Sequence, residues 1–293
     1  MKADLHMHSR VSDGSDTIEE IIAVAQKKGL DVIAISEHDT TAHFAQIPSD
    51  TGSLTVLPAV ELSTWDAHTG LRAHILAYQL KDPQLIEDYT LSLLRARNDN
   101  SERQLRILQE AGYSIDESKL ARADGKYLYK QHIMEWLVKT GQAEEMFGGF
   151  YKHIFKGGGI CDFDIDYLDP VQAVERVVQA GGLAVLAHPG KQHNYELIPT
   201  LADAGLKGLE INHHSHDEKD REIIADYAQR YGLFLTGGSD YHGDYEPQPF
   251  GIGDFLSPEC GAKAILSHHY VCWKSGRLSW YGQTPPPFFG EGV

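Results

Sequence analysis

Two histidines lie two residues apart near the start of the chain, in Asp4-Leu5-His6-Met7-His8-Ser9. In a β-strand, residues two apart face the same side, so His6 and His8 can offer ring nitrogens to one metal ion. Two core histidines with structural hydrogen bonds would give the same pattern, so this pair alone leaves metal binding open. Asp13 follows in a glycine-containing turn. It could be a further ligand, or only a turn residue that precedes a helix.

Further ligand-type side chains occur within or just after five other apolar runs. They are Glu37-His38-Asp39, Glu61, His74, His188, and Asp240 with His242. Carboxylates and imidazoles at the ends of apolar strands are costly to bury unless cations hold them. The carboxyl ends of barrel strands meet at one mouth, where such side chains converge. The sequence therefore predicts a multinuclear metal site.

Short apolar runs that end in turn or polar residues are typical of a buried sheet with helical crossovers. The seven runs are Ala3–His8, Val32–Ser36, Thr55–Leu62, Arg72–Tyr78, Leu183–His188, Lys207–Asn212 and Leu233–Thr236. Helices predicted at Thr17–Lys28 and Asp217–Tyr231 complete βαβ units. Residues Ser63 to Leu71 are too few for a parallel crossover, which predicts a hairpin there.

The stretch between Tyr78 and Leu183 lacks this strand rhythm and is mostly helical in pattern. Its predicted helices are Leu85–Ala111, Tyr129–Thr140, Ala143–Phe155 and Pro170–Ala180. We predict that residues 84–166 form a helical insertion that caps the barrel mouth, and that residues 1–83 and 167–280 form the barrel. Residues 281–293 contain three consecutive prolines and are predicted to be a tail without regular structure.

Composition narrows the possible functions. The formal net charge of −16 argues against a basic surface for duplex DNA. The sequence has no apolar run of membrane-spanning length, and its first residues lack an apolar signal segment, so we expect a cytoplasmic protein without a membrane contact. Three cysteines without CxxC spacing disfavour disulfides and thiolate zinc sites. No P-loop pattern is present, and no obligate protein partner is indicated.

The chain resembles the PHP (polymerase and histidinol phosphatase) family of metal-dependent phosphoesterases. The matching elements are DLHMHS at 4–9, EHDT at 37–40, Glu61 in AVELS, His74 in HILAY, AHPG at 187–190 and GSDYH at 238–242. The resemblance implies an α/β fold, a distorted seven-stranded (β/α)7 barrel of the PHP/TIM-like type with a helical insertion domain. Glu37 departs from the usual aspartate, and we expect it to act through its neighbours without loss of metal.

The family resemblance also implies the metal ligands. His6, His8, Glu61 and Asp240 would hold a first ion. Glu61 would bridge to a second ion held by His74 and His188, and a third would lie between Asp13, His38 and His242. Nitrogen and oxygen donors without thiolate suit Mn²⁺, Fe²⁺ or Zn²⁺ better than Mg²⁺ or Ca²⁺, which leaves these three metals and two or three filled sites open. Two ions sharing Glu61 could hold a bridging hydroxide that attacks phosphorus.

Substrate phosphates need cations, which an acidic protein must place locally. Our candidates are Arg95, Arg97, Arg103, Lys130, His132 and His216. The arginines could equally form a solvated helix face. Lys130 and His132 resemble an Arg-Pro-His-Ile element of the family, with Lys for Arg and Gln for Pro. His216 matches a family histidine that could contact phosphate or act as the acid that protonates the leaving oxygen, and a surface loop is its alternative.

The resemblance is closest to a stand-alone branch that hydrolyses nucleoside 3′,5′-bisphosphates and AMP-like compounds and, in some members, trims RNA from its 5′ end. We therefore expect a phosphatase acting on a small phosphorylated nucleotide. The alternatives are a 5′→3′ exoribonuclease that binds the 5′ end of short RNA, a histidinol phosphatase, and a metal-stabilised PHP module without turnover.

Overall fold

Seven strands form one sheet in the computed structural model, which describes residues 1–123, 125–245 and 250–267. They are β1 (Ala3–Asp4), β2 (Val32–His38), β3 (Thr55–Asp66), β4 (Leu71–Tyr78), β5 (Leu183–Leu186), β6 (Gly208–Asn212) and β7 (Phe234–Gly237). The predicted tail at 281–293 and the predicted barrel residues beyond 267 lie outside the described residues.

The strands are arranged in the order β1 to β7, and β4 is the exception to a parallel sheet because it pairs antiparallel with both β3 and β5. The chain after β7 returns to the chain after β1. Leu5 N donates to Gly237 O at 3.2 Å, and Asp240 N donates to His6 O at 2.9 Å. The predicted seven-stranded α/β barrel is confirmed, with its edges nearly closed, and the predicted hairpin is β3–β4.

Helices cover the barrel and follow the expected start and stop signals. Those in the described residues are α1 (Ile18–Lys27), α2 (Pro83–Glu110), α3 (Lys130–Lys139), α4 (Gly149–Phe155), α5 (Pro170–Gln179), α6 (Pro189–Gln192), α7 (Ile198–Asp203), α8 (Glu218–Tyr231) and α9 (Glu259–Ser267). Thr17 and Glu20 form a capping box at α1, which satisfies orphan backbone donors. The helix predicted from Ala143 begins only at Gly149, since two glycines at 148 and 149 disfavour helix before that point.

The helices between β4 and α5 have a hydrophobic cluster of their own. Leu105 and Leu108 of α2 pack with Ile133 and Leu137 of α3 and with Phe155 of α4. The barrel core is separate, with Val60, Ile75 and Leu186 in one cluster that α5 also joins. A separate cluster supports the predicted insertion, although its boundaries at 84 and 166 stay a prediction. None of the helices in the described residues is long and apolar enough to span a bilayer.

The segment carrying His6 and His8 is less regular than the predicted strand, because β1 ends at Asp4. Beyond it, Met7 forms an isolated parallel bridge with Tyr241, and Ser36 N donates to Met7 O at 2.8 Å. A Cβ at Gly238 would lie 2.3 Å from the Cβ of His6, so only glycine allows this close approach. The segment is thereby held between β2 and the chain that follows β7.

Candidate metal centre

The structure brings all of the predicted metal ligands to one mouth of the barrel. His6 and His8 follow β1, His38 ends β2, and Glu61 lies in β3. The other ligands lie in β4 (His74), directly after β5 (His188) and directly after β7 (Asp240 and His242). The ligand atoms of His6, His8, Glu61 and Asp240 all lie within 4.8 Å of one another, as do those of His8, Asp13, His38 and His242.

Glu61 lies at the centre, with one carboxylate oxygen facing each pair of histidines. Its Oε2 lies 3.1 Å from the Nε2 atoms of His6 and His8. Its Oε1 lies 2.9 Å from His74 Nδ1 and 3.0 Å from His188 Nε2. Donors held about 2.1 Å from one ion lie roughly 3 Å from each other, so these separations suit two ions that share the carboxylate.

The third group of predicted ligands is more widely spaced. Asp13 carboxylate oxygens lie 3.8 Å from His8 Nδ1, 3.8 Å from His38 Nε2 and 3.7 Å from His242 Nε2. Gln131 Nε2 also donates to Asp13 Oδ2 at 2.9 Å. The geometry therefore leaves open whether two or three ions are held.

Several polar atoms at this mouth are buried without a hydrogen-bond partner among the described residues. They are His6 Nε2, both ring nitrogens of His8, His38 Nδ1, Glu61 Oε2 and His188 Nδ1. Each such atom costs about 1–3 kcal/mol if nothing replaces its lost water. Divalent cations would satisfy them, so the residues fit the metal that the sequence predicts. Such ions supply Lewis-acid stabilisation of phosphoryl oxygens and activate water.

Burial and neighbouring charges shift the pKa values of these groups in different directions. Burial lowers the pKa of His38 to about 4 and that of His188 to about 3, which keeps both imidazoles neutral and able to coordinate. Burial raises the pKa of the Glu61 carboxyl, but His6 and His74 outweigh it and hold the pKa well below its usual value. For His8, burial is outweighed by Asp240 and Glu61, which raise its pKa to about 10. Metal binding at His8 therefore releases a proton.

Glu37 lies behind the ligands and not among them. Its carboxylate is buried and accepts from the hydroxyls of Ser9 and Ser12, and from Ser9 N at 3.0 Å. These contacts fix the turn between His8 and Asp13. The arrangement agrees with our expectation that Glu37 acts through its neighbours.

A cavity of about 200 Å³ opens beside the ligands. Asp13, His38 and His74 line it, and so do the cationic residues Arg72, Arg97, Lys130 and Lys156, which we call the cationic wall. The predicted candidates Arg97 and Lys130 thus reach the cavity. Sequence analysis missed Arg72 and Lys156, because a single lysine or arginine in a strand or loop carries no distinguishing pattern.

Arg97 is held rigidly at the junction of barrel and helical insertion. Its Nη2 donates to Asp39 Oδ2 at 2.6 Å and to Ser63 Oγ at 3.1 Å. Its guanidinium also lies 5.1 Å from the ring centroid of Tyr129, a cation–π distance. Asp39 has a positive φ of 60°, an unusual backbone conformation that is common at functional sites.

The structure does not bring the other arginine candidates to this cavity. Arg95 and Arg103 are exposed, and Arg103 packs its guanidinium 4.2 Å from the ring centroid of Phe163. Residues two apart on a helix are about 200° apart, so Arg95 and Arg97 cannot face the same wall.

Two histidine candidates make hydrogen bonds with backbone groups and do not line the cavity. His132 Nδ1 accepts from Tyr129 N at 3.1 Å and is part of the start of α3. His216 is fully buried, and its Nε2 accepts from Gly190 N at 3.0 Å while its Nδ1 donates to Ile211 O at 2.9 Å. Both ring nitrogens of His216 are thus engaged by backbone groups, and His216 does not line the cavity, so its role as an acid stays a prediction.

Comparison with known proteins decides the family. The model of the PHP domain matches residues 4–165, more than half of the chain. The chain belongs to the PHP domain family. With its metal-ligand cluster, this PHP protein is a hydrolase, a metal-dependent phosphoesterase.

Similar proteins include two relatives named for phosphoester hydrolysis and one solved structure. The PHP protein is 41% identical over 255 residues to a phosphoribosyl 1,2-cyclic phosphate 1,2-diphosphodiesterase from Eggerthella lenta, covering 85% of this chain and 97% of the relative. It is 29% identical over 279 residues to a 3′,5′-nucleoside bisphosphate phosphatase from Chromobacterium violaceum, covering 88% and 93% of the two chains. A crystal structure of a protein assigned as a metal-dependent phosphoesterase, from Bifidobacterium adolescentis, has a TM-score of 0.80 at 27% identity, covering 92% of this chain and 97% of that chain.

Proposed function

We propose that this PHP protein hydrolyses a phosphoester on a ribose that carries a second phosphate group. The single observation that carries the proposal is the cavity, whose lining combines metal ligands with the cationic wall. The reacting phosphoester would lie at the metal ligands, and the second phosphate would bind the cationic wall.

The cationic wall is a local exception in a protein with a net charge of −16. Arg72, Arg97, Lys130 and Lys156 line the cavity, and the two arginines are paired with carboxylates. Arg72 Nη2 donates to Asp164 Oδ2 at 2.7 Å, and Arg97 Nη2 donates to Asp39 Oδ2 at 2.6 Å. Burial lowers the pKa of Lys130 because its ammonium group has lost water, and an anionic ligand would oppose that shift. A phosphate group is the natural anion for such a wall.

Our first candidate substrate is phosphoribosyl 1,2-cyclic phosphate, since the relative that shares 41% identity is named for it. The cavity volume of about 200 Å³ lies below the roughly 300–1,000 Å³ typical of ligand pockets, which favours a sugar phosphate over a larger ligand. Hydrolysis of both ester bonds of the cyclic phosphate consumes two waters, restores two hydroxyls and releases inorganic phosphate.

The second candidate is a nucleoside 3′,5′-bisphosphate, the nucleotide substrate expected from the sequence. Tyr151 and Tyr167 line the same cavity and are aromatic side chains against which a base could pack. This candidate also agrees with the phosphatase relative from Chromobacterium violaceum.

The test is phosphate release by metal-free protein reconstituted with Mn²⁺, Fe²⁺ or Zn²⁺ under anaerobic conditions. Phosphoribosyl 1,2-cyclic phosphate and 3′,5′-bisphosphoadenosine are compared with ribose 5-phosphate, histidinol phosphate and a 5′-phosphorylated RNA oligomer. We expect the highest kcat/KM for the cyclic phosphate and no turnover with excess chelator. Preference for ribose 5-phosphate, for histidinol phosphate or for the RNA oligomer would contradict the proposal.

The remaining expectations from sequence belong to the same proposal. We take the cofactors to be two or three Mn²⁺, Fe²⁺ or Zn²⁺ ions, the location to be cytoplasmic and the partner to be a small phosphorylated molecule. The metal reconstitution described above, with anaerobic metal analysis of the purified protein, tests the cofactor.

A further inference from the structure

Strand β6 supplies none of the predicted metal ligands, although it lies between β5 and β7, which are both followed by ligands. It nevertheless carries the buried carboxylate Glu210 into the barrel, and the buried His213 follows directly after it. A buried carboxylate is costly unless something requires it. The contacts of these two side chains identify what they do.

Glu210 contacts two of the ligands at once. His6 Nδ1 lies 3.2 Å from its Oε1 and 3.3 Å from its Oε2, and His188 N donates to its Oε2 at 2.9 Å. A carboxylate can only accept, so the proton of the His6 ring lies on Nδ1. With a cation bound, the lone pair of His6 Nε2 would then be available to that cation beside Glu61 and Asp240, which lie 3.1 Å and 3.3 Å from Nε2.

His213 makes a matching contact with Asp240. Ser215 N donates to His213 Nδ1 at 3.1 Å, so the ring proton lies on Nε2, which is 3.3 Å from Asp240 Oδ2. Lys191 Nζ donates to the same oxygen at 2.8 Å. Asp240 Oδ1 remains directed at the Nε2 atoms of His6 and His8, at 3.3 Å and 3.4 Å.

His213, His214 and Asp240 are close enough to suggest a further cation site. The hydrogen bonds argue against it, because the lone pair of His213 Nδ1 is already engaged and its Nε2 proton faces Asp240. The ammonium of Lys191 at Asp240 Oδ2 would also repel a cation.

We propose that Glu210 and His213 are positioning residues that set the metal affinity of the centre, Glu210 by fixing the ring proton of His6 and His213 by fixing Asp240 Oδ2. Such outer partners of ligands typically change metal affinity or activity by about 10–100-fold when mutated. The inference rests on the metal centre and is independent of which phosphoester is the substrate.

The first test is Mn²⁺ affinity, measured by competition with a fluorescent chelator and without substrate. Glu210→Gln keeps the shape of the side chain but removes its charge and one acceptor. We expect its Mn²⁺ affinity to fall by about 10–100-fold, with kcat partly restored at saturating Mn²⁺. The matched control is Glu222→Gln, the same change at an exposed site on α8, which should keep the affinity of the unaltered protein. An affinity of Glu210→Gln equal to that of the control would overturn the role of Glu210.

A second pair of variants keeps the inference testable if Glu210→Gln does not fold. His213→Gln retains an N–H donor that can reach Asp240, whereas His213→Ala does not. We expect His213→Gln to hold Mn²⁺ within about 3-fold of the unaltered protein and His213→Ala to lose about 10-fold or more. A merely structural role would lower the unfolding temperatures of both variants and leave their affinities equal, and that result would refute the inference for His213.

Discussion

At the scale of single residues, the centre depends on side chains that are buried with their polar atoms unsatisfied. Both nitrogens of His8 lack a hydrogen-bond partner among the described residues, and its ring stacks 4.2 Å from that of His242. Such a residue contributes little to folding through hydrogen bonds. Its role is therefore to bind a ligand.

The first prediction concerns His8→Ala, which removes a ligand contact to Glu61 and Asp240. Turnover should fall by about 1,000-fold or more, because a lost metal site forfeits several kcal/mol of charge stabilisation and about 1.4 kcal/mol corresponds to tenfold. Far-ultraviolet circular dichroism should be unchanged. His153→Ala, at an exposed site on α4, is the control that should retain full activity. Activity of the His8 variant close to that of this control would refute the assignment.

The second prediction concerns His43, which is buried away from the ligands and donates from Nε2 to Ile35 O at 3.0 Å. Burial lowers its pKa to about 3, below the value of about 6.5 expected in the unfolded chain. The unfolded state therefore binds more protons in this range, so His43 costs nothing above about pH 6.5 and destabilises the fold as the pH decreases towards 3.

The measurement for His43 is urea unfolding of the unaltered protein and of His43→Gln, which keeps a donor but cannot titrate. Between about pH 6 and pH 4, the unaltered protein should lose about 1.4 kcal/mol more per pH unit than the variant. Both proteins are held at the same metal concentration, so that metal release cancels. Parallel pH profiles would contradict the prediction.

At the scale of elements, the orientation of helix α2 decides which of its arginines lines the cavity. The sequence places several arginines along it, and their spacing alone does not show which face turns to the cavity. Arg97 faces the cavity because it forms an ion pair with Asp39. That pair depends on how the insertion packs on the barrel. The roles of His132 and His216 depend on hydrogen bonds with backbone groups, Tyr129 N at the start of the same helix for His132 and the distant Gly190 N for His216, and the sequence pattern does not show these bonds.

The third prediction follows from this orientation. Lys130→Ala should raise KM by roughly 10-fold with a smaller change in kcat, because Lys130 would bind the non-reacting phosphate equally in ground and transition states. Arg95→Ala removes a cation from the same insertion, but at an exposed position outside the cavity wall, and should change KM by less than about 2-fold. Steady-state kinetics on the preferred substrate checks both. Equal effects of the two changes would show that the charge acts at long range and not by contact.

At the scale of the whole molecule, the barrel could be predicted because its signals are local and repeated. Apolar runs, helix caps and the short Ser63–Leu71 connection indicated the strands and the β3–β4 hairpin. The short helices α6 and α7 and the end of β1 at Asp4 could not be predicted, since pairing with distant segments decides them. The ligands were identifiable because strand ends share one mouth, whereas the cationic wall required knowledge of how the insertion docks.

The fourth prediction concerns metal removal from the whole protein. Ions bound at about a thousandfold above their Kd stabilise the folded state by about 4 kcal/mol. At about 2–4 °C per kcal/mol for a large domain, chelation should lower Tm by roughly 8 °C or more, and added Mn²⁺ should restore it. Differential scanning fluorimetry checks this, with metal content verified by elemental analysis. An unchanged Tm after verified removal would show that the cluster is not a metal site.

The contact between the chain after β1 and the chain after β7 has a consequence for biosynthesis. His6 is made before the helical insertion and most of the barrel, whereas Asp240 is made after them. Long-range pairings of this kind make folding slow, because the entropy of closing the loop is lost before the contact forms. A nascent chain can therefore assemble the full ligand set only after Asp240 and His242 have been made, and no cation can be held by the complete set before that point.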